Sequence, residues 1–199
     1  MTNYDMSNLD FELAELNRRI ANLVKIGVIE EADYSQAIPR AKVRMGDLLT
    51  TWLPMLALRA GQDQSWWPLE VGEQVLVLSP SGDPAQGFIL GSINQSRVPA
   101  NGNKQELHRT NYADGAVIEY DRAAHALNAQ LPSGATTELI SDGGVSVFGD
   151  LTVDGNIKAT QDITDKKRSM QADRDIYNGH IHPGVTPGSG VTGKTISTK

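Results

Sequence analysis

Between residues 145 and 163 the odd positions carry Val145, Val147, Gly149, Leu151, Val153, Gly155, Ile157, Ala159 and Ile163. The even positions hold Ser146, Asp150, Thr152, Asp154, Asn156, Lys158 and Thr160, with Phe148 the large apolar exception. A period of two belongs to an extended chain, whose successive side chains point to opposite sides. The segment therefore has one narrow apolar face and one polar face. Such a face cannot fill the core of a globular monomer, because the surface it hides does not offset the entropy of ordering the chain. Three copies wound about one axis would bury it. A two-sheet sandwich within one chain is the alternative that the same alternation permits. A similar odd-numbered set, His125, Leu127, Ala129 and Leu131, precedes it. Turn signals at Pro132-Ser133-Gly134 and Asp142-Gly143-Gly144 separate what read as successive rungs.

Composition points the same way. Aromatic residues make up 6% of the chain while glycine reaches 19 residues, so the apolar material is aliphatic and spread between many turns, as in an elongated all-β protein. There is no cysteine, which removes disulfides, thiolate metal sites and thiol catalysis. No apolar run approaches the ~18 residues of a membrane span, and the first residues lack the basic start and apolar stretch of a signal peptide. The chain is expected to be soluble and made without such a peptide. The formal net charge of −6 argues against a broad phosphate-binding surface and hence against a nucleic-acid partner.

Upstream of the rungs the texture changes twice. Leu9, Leu13, Leu16, Ile20 and Leu23 are spaced four, three, four, three, the seam of a coiled coil, with Ser7 as a start and Gly27 as a stop. Residues 1–27 are therefore expected to form a helix, either a trimeric coiled coil or an amphipathic helix packed on its own domain. From Val28 short β-like runs follow: VIEEADY, AIPRAKVRM, LALRA, EQVLVLS and GFILGSI. Five short strands over residues 28–97 suggest a partly open barrel of the OB type, a fold that does not by itself assign function. Residues 98–111 read as a polar linker, residues 112–178 as a β-helical shaft and residues 179–199 as its apex.

The most chemically pointed stretch is Asn178-Gly179-His180-Ile181-His182-Pro183-Gly184. In an extended segment both rings point to one side. Two imidazoles from one chain make a poor metal site, and His-x-His alone is a weak signal. On a threefold axis the pair becomes six nitrogen donors in two rings, an octahedral cage that favours Fe(II) or Ni(II), with iron the more available. A saturated ion has no open position for water or substrate and would be structural. Gly179, Pro183, Gly184, Pro187, Gly188 and Gly190 surround the pair and allow a narrow reversal, although the same composition also describes an ordinary tail.

The run GDLLTTWLPML, the Trp-Trp-Pro that follows it, and EVGEQVLVLSPSGDPAQGFILGSI resemble the baseplate assembly protein V family, the central tail spikes of contractile phages and R-type pyocins. SMQADRDIYNGHIHPG resembles the stretch that ends in that family's histidine pair, so the likeness covers nearly the whole chain. It implies a homotrimer with an OB-fold collar, an intertwined triple-stranded β-helix and a metal-bound apex. One iron ion (Fe2+) per trimer would be held by His180 and His182. It further implies a place in a virion or phage-tail-like particle assembled in the bacterial host cytoplasm. Its partners would be baseplate hub and tail tube proteins, and its target the outer membrane of another cell. The isoleucine between the histidines, where relatives often have threonine, and the tail GVTPGSGVTGKTISTK depart from the pattern and leave the outermost shape open.

Enzymatic readings find little to stand on. There is no G-x-S-x-G, and His108 falls in the expected linker, so no Ser-His-Asp set is in view. No phosphate-cradling glycine motif occurs either; Gly82-Asp83-Pro84-Ala85-Gln86-Gly87 lacks the lysine and reads as a hairpin turn. Carboxylates are numerous enough that counting them excludes nothing. Trp52, Trp66 and Trp67 could stack on bases or sugars, but the resemblance implies that they fill the barrel and its subunit contacts. His125 shares odd parity with Leu127 and could line an axis. The expectation is a non-catalytic spike without a small-molecule substrate. The alternatives are a non-enzymatic OB-fold binding module on a trimeric stalk and a type VI secretion spike.

Overall fold

The computed structural model describes residues 6–181 together with Gly184 and Gly188. The chain divides into two units, Met1–Thr137 and Glu138–Lys199.

The first unit begins with helix α1, Met6–Leu23, which passes directly into strand β1, Val24–Asp33. The expected boundary at Gly27 is thus too late, and Ser7 lies inside the helix. Gly27 sits within β1 for a packing reason: a Cβ there would lie 2.5 Å from Val43 Cγ1 and 2.7 Å from the Arg44 carbonyl oxygen. It is the point where β1 approaches the neighbouring strand too closely for any side chain.

Strand β2, Arg40–Met45, pairs antiparallel with β1, and a bulge between Ile29 and Glu31 adjusts the register. Two short pieces on the far side of β2, β3 (Leu48–Leu49) and β4 (Leu53–Pro54), make up the third strand of the barrel. The expected strand LALRA is not one. The chain turns inward earlier, burying Leu53 and Met55, and leaves Leu58 90% exposed. Strands β5 (Gln74–Leu78) and β6 (Phe88–Ser92) complete the sheet in the order β3-β2-β1-β5-β6, with β4 also on β2. Met55 then bridges Ile89 in parallel, and the Leu56 N–H donates to the Ile89 carbonyl at 2.9 Å. That contact joins the two ends of the sheet into a small barrel of OB type.

Alternation along β1, β2 and β5 sends Ile29, Ala41, Val43, Met45, Val75 and Val77 inward, where they meet Leu53, Met55 and Ile89. On the outside, Asp33 pairs with Arg40 at 3.1 Å and Glu31 with Lys42 at 3.0 Å across β1 and β2, and Glu30 pairs with Arg44. The buried Thr50 hydroxyl accepts from the Val43 N–H at 2.9 Å and donates to the Thr51 carbonyl at 2.8 Å, which satisfies it without water. The turn between β5 and β6 consists of two short 3-10 turns, Pro80–Gly82 and Pro84–Gln86.

A second sheet follows within the same unit: β7 (Leu107–Asn111), β8 (Val117–Asp121) and β9 (Ala126–Gln130), a simple meander. The last five residues of the expected linker are therefore strand. His125 lies in the turn between β8 and β9 with φ 54°, so it does not share a strand face with Leu127. In the second unit the one regular element among the described residues is helix α2, Met170–Gly179, in a stretch expected to be extended. Residues 138–169 have no regular secondary structure beyond an isolated bridge between Thr164 and Ser169, and their odd-position side chains stand in solvent: Val147 is 61% exposed, Leu151 71% and Ile157 67%.

Candidate functional site

His180 is held at the end of α2, and α2 is fixed at its start. Ser169 is the N-cap, its hydroxyl oxygen accepting from the Ala172 N–H at 3.1 Å. The Asp162 carboxylate gathers the Ser169 hydroxyl and the backbone N–H groups of Gln171 and Ile163, and these donors hold its pKa below the usual carboxylate range. Asp165 does the same for the N–H groups of Arg168 and Lys167. The Met170 N–H donates to the Ile163 carbonyl at 2.8 Å, and Arg168 pairs with Asp173 at 2.7 Å. A tight loop over 162–169 thus holds the start of a ten-residue helix.

At the other end the backbone becomes extended at His180, with φ −71° and ψ 142°. The His180 Nδ1 lies 2.5 Å from the Tyr177 carbonyl oxygen, and the two rings are 5.5 Å apart. A carbonyl can only accept, so Nδ1 carries the proton, and in the neutral ring Nε2 then carries the lone pair. Fixing one nitrogen by a backbone carbonyl is the usual way a ligating imidazole is oriented. The donor chemistry at His180 therefore fits a metal of the imidazole-binding class. His182, the second expected ligand, lies outside the described residues. Sequence reasoning missed α2, although its signal was present: a serine cap, the helix-forming run Met170-Gln171-Ala172-Asp173-Arg174, and Gly179 before the extended histidine segment.

The tryptophans do not fill the barrel, because its narrow interior is occupied by medium-sized aliphatic side chains. Trp52 lies on the outer surface under Arg40 and Lys42, whose charges are 5.4 and 4.8 Å from ring centroids. Trp67 stacks on Tyr112 with ring centroids 5.9 Å apart and 6° between planes. Trp66 and Trp67 are 66% and 67% exposed and border an open groove of about 630 Å³ with Ile38, Leu56 and Leu58. His108 lies on β7 opposite Tyr120, and His125 lies in the turn between β8 and β9. Among the described residues no helix is long and apolar enough to cross a membrane.

Comparison with known proteins places the barrel. Residues 25–93 match the family described as the type VI secretion system/phage-baseplate injector OB domain. The chain is 34% identical over 132 residues to the spike protein of Escherichia phage P2, a stretch that covers 66% of this chain and 60% of the phage protein.

Proposed function

From the injector OB domain at residues 25–93 and the likeness to a phage spike protein we propose that this chain is a member of the baseplate assembly protein V family and a subunit of a homotrimeric central spike. The spike would stand at the tip of a contractile phage tail or phage-tail-like particle, joined to baseplate hub and tail tube proteins, and pierce the outer membrane of the target cell. Its work is mechanical: force from the tail is concentrated on a narrow, stiff point, with no catalytic step and no small-molecule substrate. The phage spike relative favours the tail over the type VI secretion machine, which the same domain family also names.

The observation that carries this reading is the uncovered apolar face of the second unit. Val145, Val147, Leu151 and Ile157 are all more than 60% exposed in the single chain. Soluble monomers rarely leave so regular an apolar row in water. Two further copies about a common axis would cover it as an intertwined shaft and close the open strand edges. At the apex His180 and His182 would hold one iron ion per trimer. Bound there, iron supplies a cross-link between chains where little apolar area remains to be buried. The His180 tautomer set by Tyr177 suits that role.

Metal content of the untagged, full-length protein tests the reading. One iron per three chains is expected. The His180→Ala/His182→Ala double variant should lose it while remaining trimeric and folded. Intact protein free of metal, or global unfolding of the double variant, would remove the apical ion from the account.

A further inference from the structure

Helix α1 is docked on its own barrel by the wrong face for a monomer. Its first contact is with the turn after β5. The Ser79 N–H donates to the Leu23 carbonyl at 2.8 Å. Gly82, in the left-handed region at φ +71°, lies so near the helix that a Cβ would stand 2.3 Å from the Arg19 carbonyl oxygen. Among the helix residues whose exposure is described, the half-buried ones are Glu15 and Asn22, which share a face with Arg19. That face is polar, and Glu15 spends its carboxylate on Arg18 at 2.7 Å and Arg19 at 2.6 Å.

The apolar residues of α1 point elsewhere. At 100° per residue, the mean direction of Leu9, Leu13, Leu16, Ile20 and Leu23 is roughly 110° round the helix from that of Glu15, Arg19 and Asn22. Leu9, Leu13, Leu16 and Ile20 are each about half exposed, and Leu23 is 37% exposed. An amphipathic helix meant for its own domain turns its apolar stripe inward. Here the barrel holds the polar side and leaves the stripe out.

We propose that α1 is a trimerisation collar: its Leu9-Leu13-Leu16-Ile20-Leu23 seam packs against the same seam of two other copies, and the turn at Gly82 holds each helix in the phase that presents it. The occupant follows from the pattern itself. Spacings of four, three, four, three are those of knobs entering holes on a second helix of like spacing, and an all-aliphatic seam is complementary to its own copy in register. Five seam positions are too few to hold a free coiled coil together in water. Two things on this chain offset that: docking on the barrel orders the helix beforehand, and chains already joined through the shaft meet at high effective concentration. The copy number rests on the trimeric reading above.

The absence of cysteine makes the test direct. Leu16→Cys places a thiol on the seam, and Arg18→Cys places one on the opposite side of the helix as a control. Under mild oxidation of the full-length protein, Leu16→Cys is expected to join two chains of each trimer and leave the third thiol single, with little cross-linking of Arg18→Cys. Gly82→Ala in the Leu16→Cys background, which forces the helix off its turn, should lower the cross-linked yield several-fold. Sedimentation of the unoxidised variants separates the two ideas. A trimer in which Leu16→Cys cross-links no better than Arg18→Cys overturns the collar and leaves the spike standing. A monomer overturns both.

Discussion

At Gly27 strand β1 runs so close to β2 that a methyl group would overlap Val43 Cγ1, the Arg44 carbonyl and Met45 Cγ, the last at 2.8 Å. Two of those three atoms belong to side chains of the barrel core, and the third is backbone that is tied into the sheet. None can retreat without moving β2. Gly27→Ala is therefore an overpacking change, with an expected cost of about 1–3 kcal/mol. Chemical denaturation of the full-length protein reads it, with the barrel as the part that melts early; an unchanged midpoint would mean that β1 and β2 part easily. Read from sequence alone, the same glycine looked like a helix stop, because a glycine after a leucine seam is the commonest such signal. The close approach that explains it is made by a strand some sixteen positions on, at Val43.

The ion network on α1 is an element-scale device with its own pH signature. Hydrogen bonds from Arg18 and then Arg19 pull the Glu15 pKa down from 4.5 to about 2. A carboxylate whose pKa is depressed by folding contributes stability above its unfolded pKa and loses it as pH falls through the folded one. Helix α1 should thus keep this contribution at neutral pH and lose it between about pH 4.5 and pH 2. A carboxyl-carbon titration by NMR is expected to place Glu15 near the bottom of that window. Arg18→Ala should move it back toward ordinary glutamate, and an unchanged midpoint in that variant would show that the pair is not formed in solution. How much of each element could be read from the chain follows from how each is built. Strands β1, β2, β5 and β6 show alternation because one face is buried in this chain. The third strand was misplaced to LALRA because β3 and β4 have only two residues each and carry no period. Helix α2 is signalled by its serine cap and helix-forming run rather than by burial, because its apolar residues Met170, Ile176 and Tyr177 stay exposed in the single chain. At the site, His180 was legible as a residue type, but the carbonyl that sets its tautomer comes from a helix the sequence reading did not contain.

On the scale of the whole molecule, two exposed apolar rows stand out: the α1 seam and the odd positions of residues 145–163. The barrel between them in sequence has a filled core and satisfied polar atoms. It holds together as a unit, whereas residues 138–169 bury almost nothing in the single chain. Such a segment is ordered only if its apolar row is covered, and each aliphatic side chain covered on both sides contributes about 1.5–3 kcal/mol. In the proposed trimer every substitution is repeated in each of three copies, so one charge on the row acts three times about the same axis. Leu151→Asp and Val153→Asp are therefore expected to convert the trimer to monomers at micromolar concentration. Thr152→Asp, between them on the polar side, should leave it assembled. Sedimentation equilibrium on the three variants decides the matter, and because the barrel core is untouched, its melting should persist in all of them. If Leu151→Asp sediments with the wild type while Thr152→Asp falls apart, the two faces have been assigned the wrong way round. If all three variants sediment with the wild type, the row is not an interface, and the narrow apolar face from which the trimer was inferred must be covered in some other way.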